Sequence, residues 1–581
     1  MSDPSAIQCS NEVARQVVQP NSSSDETYRV GLVFAGAVSA GAYTAGVLDF
    51  LIQALDTWEA AKATGDEDVP PHRVLLKVMS GASAGAMTAG LAAMTLHHEL
   101  EHVQSPVAGT TGNVLYDTWV RGIDLTNLLK RRDRKTAHLA SLLDSTAIDR
   151  MARQLSKRRW SPRQRRAWVG DPVDLYLSVT NLRGVPYEIV FQGEGATGYS
   201  MAAHADYLHY QVGPTVLDEE EGAVGLVPGT TTVAGRGKWN SMIAASIASG
   251  AFPIGLAPRS LRRDRSQYDF RSWDVALDHE EAQRRKSCTK STALVPSWAD
   301  SDRHYEFLSV DGGLMDNEPL ELARRSLSGG GRNPRDVIRS DRGVILIDPF
   351  PEPVGIEEID ATIPKVLLGM FMALKRQARF KPEELALALS NQVGSRFLIA
   401  PSRELDERPI AVSDVLACGT IGAFGGFLSE AYRRHDFLLG RRNCQKFLRD
   451  HFVLHPCNPL FSRWSESARA SQASKQRNGF LRVIPLLGDC ARELDQPRWP
   501  SERGWSDRKV RTFRRRDLNR LHCKVSARLN YVARRLIKEE LHLKARLPAR
   551  LAWRLQRGRV FDWIQSQIEH DLVRVGLLER R

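Results

Sequence analysis

The stretch "VLLKVMSGASAGAMTAGLAAM", residues 74–94, passes from an apolar run through Gly-Ala-Ser-Ala-Gly into small and apolar residues at helical spacing. Strand, sharp turn and helix in that order around G-x-S-x-G form a nucleophile elbow, with the serine at the apex of a strained turn. Gly81 and Gly85, two residues to either side of Ser83, let the incoming and outgoing backbones pass without a Cβ between them. By itself the pattern leaves two readings open: a nucleophilic Ser83, or a small residue where a strand lies close on a helix. A serine hydroxyl at its free pKa is a poor nucleophile, so the first reading needs a base and an anion-stabilising pocket from elsewhere in the chain.

Working outward, "YRVGLVFAG" (28–36) predicts a buried strand and "AYTAGVLDFLIQALDTWEAAKA" (42–63) a helix after it. Residues 174–182 and 187–193 predict two further strands, 239–253 a helix ending before a proline, and 304–313 and 342–351 two more strands. Continuous Val, Leu and Ile strands alternating with helices predict an α/β fold whose central sheet is mainly parallel and covered on both faces. The polar segment 258–303 reads as a surface excursion, and beyond about residue 356 helical periodicity dominates. The expected divisions are a disordered lead-in (1–28), an α/β domain (29–355), a mostly helical extension (356–500) and a basic helical tail (501–581).

The bulk composition narrows the classes. A chain of 581 residues exceeds one ordinary core, and 42% hydrophobic with 26% charged residues fits a globular protein. Seven scattered cysteines without C-x-x-C spacing argue against a disulfide framework or a structural zinc site and predict a reducing, cytoplasmic setting. The first 27 residues lack the basic and apolar regions of a Sec signal peptide. Residues 31–55 carry one charge, Asp49, and pass as a membrane span by hydropathy, but their embedded turn and small residues favour a buried strand-turn-helix.

The net charge of +13 is located. Residues 501–581 hold 22 Lys and Arg against 9 Asp and Glu, so the rest of the chain is formally neutral. Within them, "KVSARLNYVARRLI" (524–537) puts Val525, Leu529, Val532 and Leu536 on one stripe, away from Arg534, Arg535 and Lys538. That stripe either packs on the domain or lies on an anionic membrane as a peripheral contact. The arginine-rich 511–520 has no recognition module beside it, which argues against nucleic acid.

Two more motifs bear on Ser83. In "FLSVDGGLMDNEP" (307–319), Asp311 directly follows a strand and precedes Gly312 and Gly313. It reads either as a carboxylate presented at the ligand-binding edge of a sheet or as a cap of its own turn. In "GLVFAGAVSAGAY" (31–43), a turn between the first strand and first helix aims backbone N–H groups and a positive helix end at one point, which can stabilise an oxyanion. A phosphate loop fits less well, because neither G-K-[ST] nor G-x-G-x-x-G is present. "HHELEH" (97–102) reads as the polar face of a helix, and no metal or cofactor site is expected.

These three pieces in this order resemble the patatin-like phospholipases. The family's glycine-rich first turn and A-Y-x-x-G-V-L helix are similar to residues 31–48, its elbow to "GASAG" and its D-G-G/A motif to residues 311–313. "LSVTNLRG" (177–184), "AASIASGAFP" (244–253) and "DNEP" (316–319) are similar to further family segments, and "GAFGGFLSEAYRRHDFLLGRR" (422–442) resembles segments of a bacterial subset, without an assigned chemistry. The resemblance implies a three-layer patatin-like fold and a serine-aspartate lipid acyl hydrolase working through an acyl-enzyme, with lipid or phospholipid esters as substrate. It assigns Ser83 as nucleophile, Asp311 as base and Gly36, Ala37 and Val38 as the oxyanion loop.

This chain departs from the family at that loop. Residues 36–41 read Gly-Ala-Val-Ser-Ala-Gly, without two of the glycines and the arginine of the family pattern. A β-branched residue there must use ordinary dihedrals or store strain. The alternative expectation is therefore a weak or inactive lipid-binding scaffold of the same fold. An α/β-hydrolase triad would instead draw on a late histidine such as His435, His451 or His455.

Overall fold

The computed structural model describes residues 26–578, apart from 105–110, 159–164, 191–197, 217–221, 330–332, 405–414, 501–512 and most of 277–288 and 351–392. The expected lead-in lies outside the described residues up to residue 25, with its last residues, Thr27 and Tyr28, opening the first strand, and part of the segment expected after 356 also lies outside them.

Five strands rich in Val, Leu and Ile run parallel in the order Arg396–Ile399, Arg342–Ile347, Thr27–Phe34, Arg73–Gly81 and Val169–Val190. Gly198–Val212 adds antiparallel to the last of these, followed by Val224–Leu226. The expected mainly parallel α/β sheet is present. Alternate residues feed both of its faces: Leu32 and Phe34 enter the large core, while Val33 and Ala35 join Val78, Val344, Leu346 and the helix Leu320–Ser328 on the other side. Two-sided burial is why these strands read as continuous apolar runs.

The helix Gly41–Lys62 lies in the core against Glu430–Asp450. Among the described residues, the stretch Val38–Lys62 is the one helical segment long and apolar enough to cross a membrane, and 89% of its apolar window is buried within the protein. Its apolarity therefore serves the core.

Three features depart from the expectations. The strands foreseen at 174–182 and 187–193 are one strand, Val169–Val190. Gly198–Val212 gave no strand signal, because His and Asp interrupt its apolar alternation. The polar segment after 258 is not wholly a surface excursion: Arg259–Asp264 pairs with His304–Val310, and Arg263 and Arg271 are buried around Asp206.

That buried carboxylate accepts hydrogen bonds from Arg271 (2.5 Å), Tyr268 (2.9 Å), Arg263 (3.1 Å) and Asn181 (3.1 Å). Burial pushes its pKa up, but Arg271 and Arg263 outweigh that and hold it below the usual carboxylate value. A depressed folded-state pKa contributes stability that is present at neutral pH and is lost as the pH falls through it. Asp206→Asn leaves two buried guanidinium groups uncompensated and should lower the unfolding free energy by about 3–5 kcal/mol at pH 7, read by urea denaturation. An unchanged midpoint would refute that role.

The helices Arg515–Glu540 and Leu543–Arg574 form a hairpin. Arg528 anchors the first of them: it is buried, pairs with Asp133 at 2.7 Å and donates to the carbonyls of Leu142 and Lys130. In the stripe expected here, Val532 is buried, Val525 and Leu529 are half-buried and Leu536 is exposed. Leu518, Leu572 and Leu578 pack with Ala417, Ala431 and Tyr432. Cys418, Cys444, Cys490 and Cys523 are free thiols, whereas Cys457 is disulfide-bonded, which the cysteine spacing did not signal.

Candidate active site

The strand Arg73–Gly81 ends at the elbow and the helix Ala84–Thr95 leaves it, with Ser83 at φ 54° and ψ −127°. A non-glycine residue held there costs on the order of 1–3 kcal/mol, which the surroundings must over-determine. Close backbone approach does so: a Cβ at Gly85 would lie 2.0 Å from the Phe34 carbonyl oxygen, so the elbow helix rests directly on the first strand. Ala82 N–H donates to that same carbonyl, and Ser83 N–H donates to Ser249 Oγ at 2.8 Å.

Asp311 reaches the elbow from the opposite direction. The strand His304–Val310 runs antiparallel to Val169–Val190, pairing Val310 with Thr180, so its last residue arrives at the edge where the parallel strands also end. The Thr180 hydroxyl donates to the Asp311 carbonyl, and Asp311 N–H donates to Ala251 O. Gly312 lets this turn sit on the neighbouring strand, since a Cβ there would be 2.0 Å from the Ser178 carbonyl oxygen. The two roles foreseen for Asp311 fall on different oxygens. Oδ1 caps the turn by accepting Gly313 N–H at 2.8 Å, and Oδ2 accepts the Ser83 hydroxyl at 2.8 Å. Both side chains are buried.

The turn after the first strand lies beside them, since a Cβ on Gly36 would approach Ser83 Cβ to 3.1 Å. Gly36 N–H donates to Asn317 O, so of the three expected oxyanion donors this one is already engaged. Among the described residues, no acceptor within the fold takes the N–H of Ala37 or Val38. Val38 stands at φ 47°, so the strained alternative, and not ordinary dihedrals, is what the turn adopts.

A second strained segment holds that turn. Ser39 Oγ donates to Ala423 O at 2.5 Å and accepts Gly426 N–H at 3.0 Å. Ile421, Gly422 and Ala423 all have positive φ. Asp436 receives the N–H groups of Ala417 and Cys418, Arg433 donates to Gly426 O, and Asp571 of the last helix accepts Ile421 N–H. Phe424 meets Phe252 edge-on at 5.6 Å. The 422–442 stretch, singled out in the sequence without a chemistry, thus contributes to a brace under the turn.

Ser249 also takes part without a signal in its own sequence. Its segment, "AASIASGAFP", stood out, but nothing local says that its hydroxyl meets an amide 166 residues away. Ser249→Ala leaves the buried Ser83 N–H unpaired and should cost about 1–3 kcal/mol, seen as a lowered thermal midpoint together with slower turnover. A variant matching the parent in both would count against an anchoring role.

Of the late histidines, His435 and His455 are engaged elsewhere. His435 Nδ1 is 2.7 Å from Asp436 Oδ1, and its Nε2 is buried without a hydrogen-bond partner among the described residues. His455 receives Cys457 N–H and lies against Phe480. Burial lowers the pKa of His97 to about 4, and His102 bonds to Asp49. Among the described residues no group of three or more His, Cys, Asp or Glu side chains is placed to hold a metal ion.

The sequence model of the patatin-like phospholipase family matches residues 32–324, which include Ser83, Asp311 and the 36–41 turn. An uncharacterized protein of Sinorhizobium fredii, y4iI, is 35% identical over 610 residues, covering 95% of this chain and 82% of that protein. Among solved structures, VipD from Legionella pneumophila is 12% identical, covers 71% of each chain and superposes with a TM-score of 0.24.

Proposed function

The chain belongs to the patatin-like phospholipase family, a family of lipid acyl hydrolases, and from that premise we propose that it cleaves carboxylic esters of lipids or phospholipids with a Ser83–Asp311 dyad. The observation that carries the reading is the 2.8 Å hydrogen bond from Ser83 Oγ to Asp311 Oδ2. It meets the geometric requirement for a base to take the nucleophile's proton.

Asp311 Oδ2 accepts the hydroxyl proton as Ser83 Oγ bonds to the ester carbonyl carbon. The oxyanion faces the N–H groups of Ala37 and Val38. Collapse expels the alcohol, which leaves with the proton from Asp311, and Ser83 carries the acyl group. Water, deprotonated by Asp311, then attacks the acyl carbon and releases the carboxylic acid and free Ser83. Electrostatic stabilisation at the oxyanion is usually the largest single contribution to such a reaction.

Near the nucleophile lies an apolar hollow of about 30 Å³, room for about one water molecule, so a lipid acyl chain enters it only as its lining side chains shift. It is lined by Met87, Met94, Met151, Met242 and Ile247, and Met87 lies one helical turn from Ser83. Methionine side chains adapt to irregular apolar shapes, which suits a flexible chain.

The test is covalent labelling of the full chain with a fluorophosphonate, followed by peptide mass spectrometry and a short-chain acyl ester assay. The expected result is a single adduct on Ser83 that removes turnover in proportion. No serine-dependent turnover on any ester, with no adduct at Ser83, would replace this reading by the non-catalytic lipid-binding scaffold.

A further inference from the structure

The helix Leu543–Arg574 carries an apolar row that the fold does not use. Leu543, Leu547, Leu551 and Leu555 are 78%, 76%, 59% and 73% exposed. At four-residue spacing they form a ridge along one side, roughly 18 Å long at 1.5 Å per residue. The helix is held from another side: Trp553 donates to Asn530 of the preceding helix at 2.9 Å, and Phe561 is buried against Trp553 and His522. The row is therefore displayed on an anchored element.

The charge beside it has one sign. Residues 541–561 contain six Lys and Arg and no Asp or Glu, and Arg546, Arg550 and Arg554 each directly precede a leucine of the row. Among the described residues, Lys544, Arg550, Arg554, Arg557 and Arg559 have no carboxylate partner within ion-pair distance. The preceding helix differs, because Arg528 and Arg535 are engaged with Asp133, Glu539 and carbonyls of residues 130–142.

We infer that the Leu543–Leu555 row and its flanking arginines form a docking surface for an anionic lipid bilayer. Each half of the feature needs that partner. A polyanion such as nucleic acid would satisfy the arginines and leave four leucines in water. A second copy of this chain would cover the leucines and bring two uniformly cationic faces together. A bilayer with acidic headgroups takes both: leucines enter the acyl boundary while the arginines remain at headgroup level. The inference deepens the lipid hydrolase reading by locating the surface on which substrate is met, but its test reads binding alone.

The experiment uses the full chain and sedimentation of vesicles of phosphatidylcholine, with and without phosphatidylserine. Two surface variants are compared, Leu547→Ser with Leu551→Ser, and Arg550→Gln with Arg554→Gln. The parent should bind serine-lipid vesicles, bind neutral ones at least ~10-fold more weakly, and lose affinity as salt rises. The leucine pair should lower partitioning by on the order of 10²-fold, given the free energy of burying each side chain. Unchanged thermal midpoints certify that both variants fold.

Several results would overturn the inference. They are no binding by the parent, equal binding to neutral vesicles, or leucine variants that bind like the parent while the arginine variants do not, the last marking a generic polyanion site. A parent dimer that the leucine variant converts to monomer would assign the row to self-association instead. Failure of the dyad leaves vesicle binding untouched, so the two readings fall separately.

Discussion

Asp311→Asn is expected to lower ester hydrolysis by about 10⁴-fold, the size of effect seen when an orienting carboxylate is replaced by its amide in a serine hydrolase. The substitution is nearly isosteric, and the amide oxygen can continue to accept Gly313 N–H in the place of Oδ1. What changes is the other position. An Nδ2 group facing Ser83 Oγ can only donate, so the serine proton has no acceptor and the hydroxyl's own lone pair is drawn away from attack. Ser83→Ala should reduce turnover at least as far, and the double variant no further, because the two residues act as a unit. His451→Ala and His455→Ala should leave hydrolysis unchanged. Activity surviving in Asp311→Asn but lost with either histidine would sink the dyad.

The second large effect is expected at a residue outside the dyad. Ser39→Ala removes a donor to Ala423 O and an acceptor for Gly426 N–H, both across 384 residues or more of chain. Without that clamp, Val38 is free to leave its positive φ, a relaxation worth on the order of 1–3 kcal/mol. The Ala37 and Val38 N–H groups then turn from the oxyanion, and one misdirected donor typically costs ~10²–10³ in kcat. A positioning role predicts a fall in kcat with little change in KM, and a parallel loss of affinity for a tetrahedral boronate. If kcat and thermal stability fell while boronate affinity held, Ser39 would be structural only.

The contrast between Ser83 and Ser39 explains what was legible in the sequence. The elbow, the first turn and Asp-Gly-Gly are each fixed by a few consecutive residues whose glycines answer to backbone crowding, so local spacing carries them. The strain at Val38 was also legible as a choice between two conformations, since β-branching forces one. Ser39 and Ser249 act through partners more than 160 residues away, and no local pattern distinguishes a clamping serine from a solvated one. The strand Gly198–Val212 was hidden for a related reason. Asp206 interrupts its apolar alternation, and its burial is balanced chiefly by Arg263 and Arg271 from a segment whose charges read as surface.

The brace under the 36–41 turn also sets an order of events in biosynthesis. Ser83 and Asp311 have both been added to the chain once residue 311 is in place, yet Gly426, Ala423 and Asp571 follow by more than a hundred to more than two hundred residues. A nascent chain at that stage holds both members of the proposed dyad without the segment that keeps the 36–41 turn in its strained shape. On the proposed mechanism, the anion pocket is therefore complete only once the segment around Ala423–Gly426 and the last helix have docked.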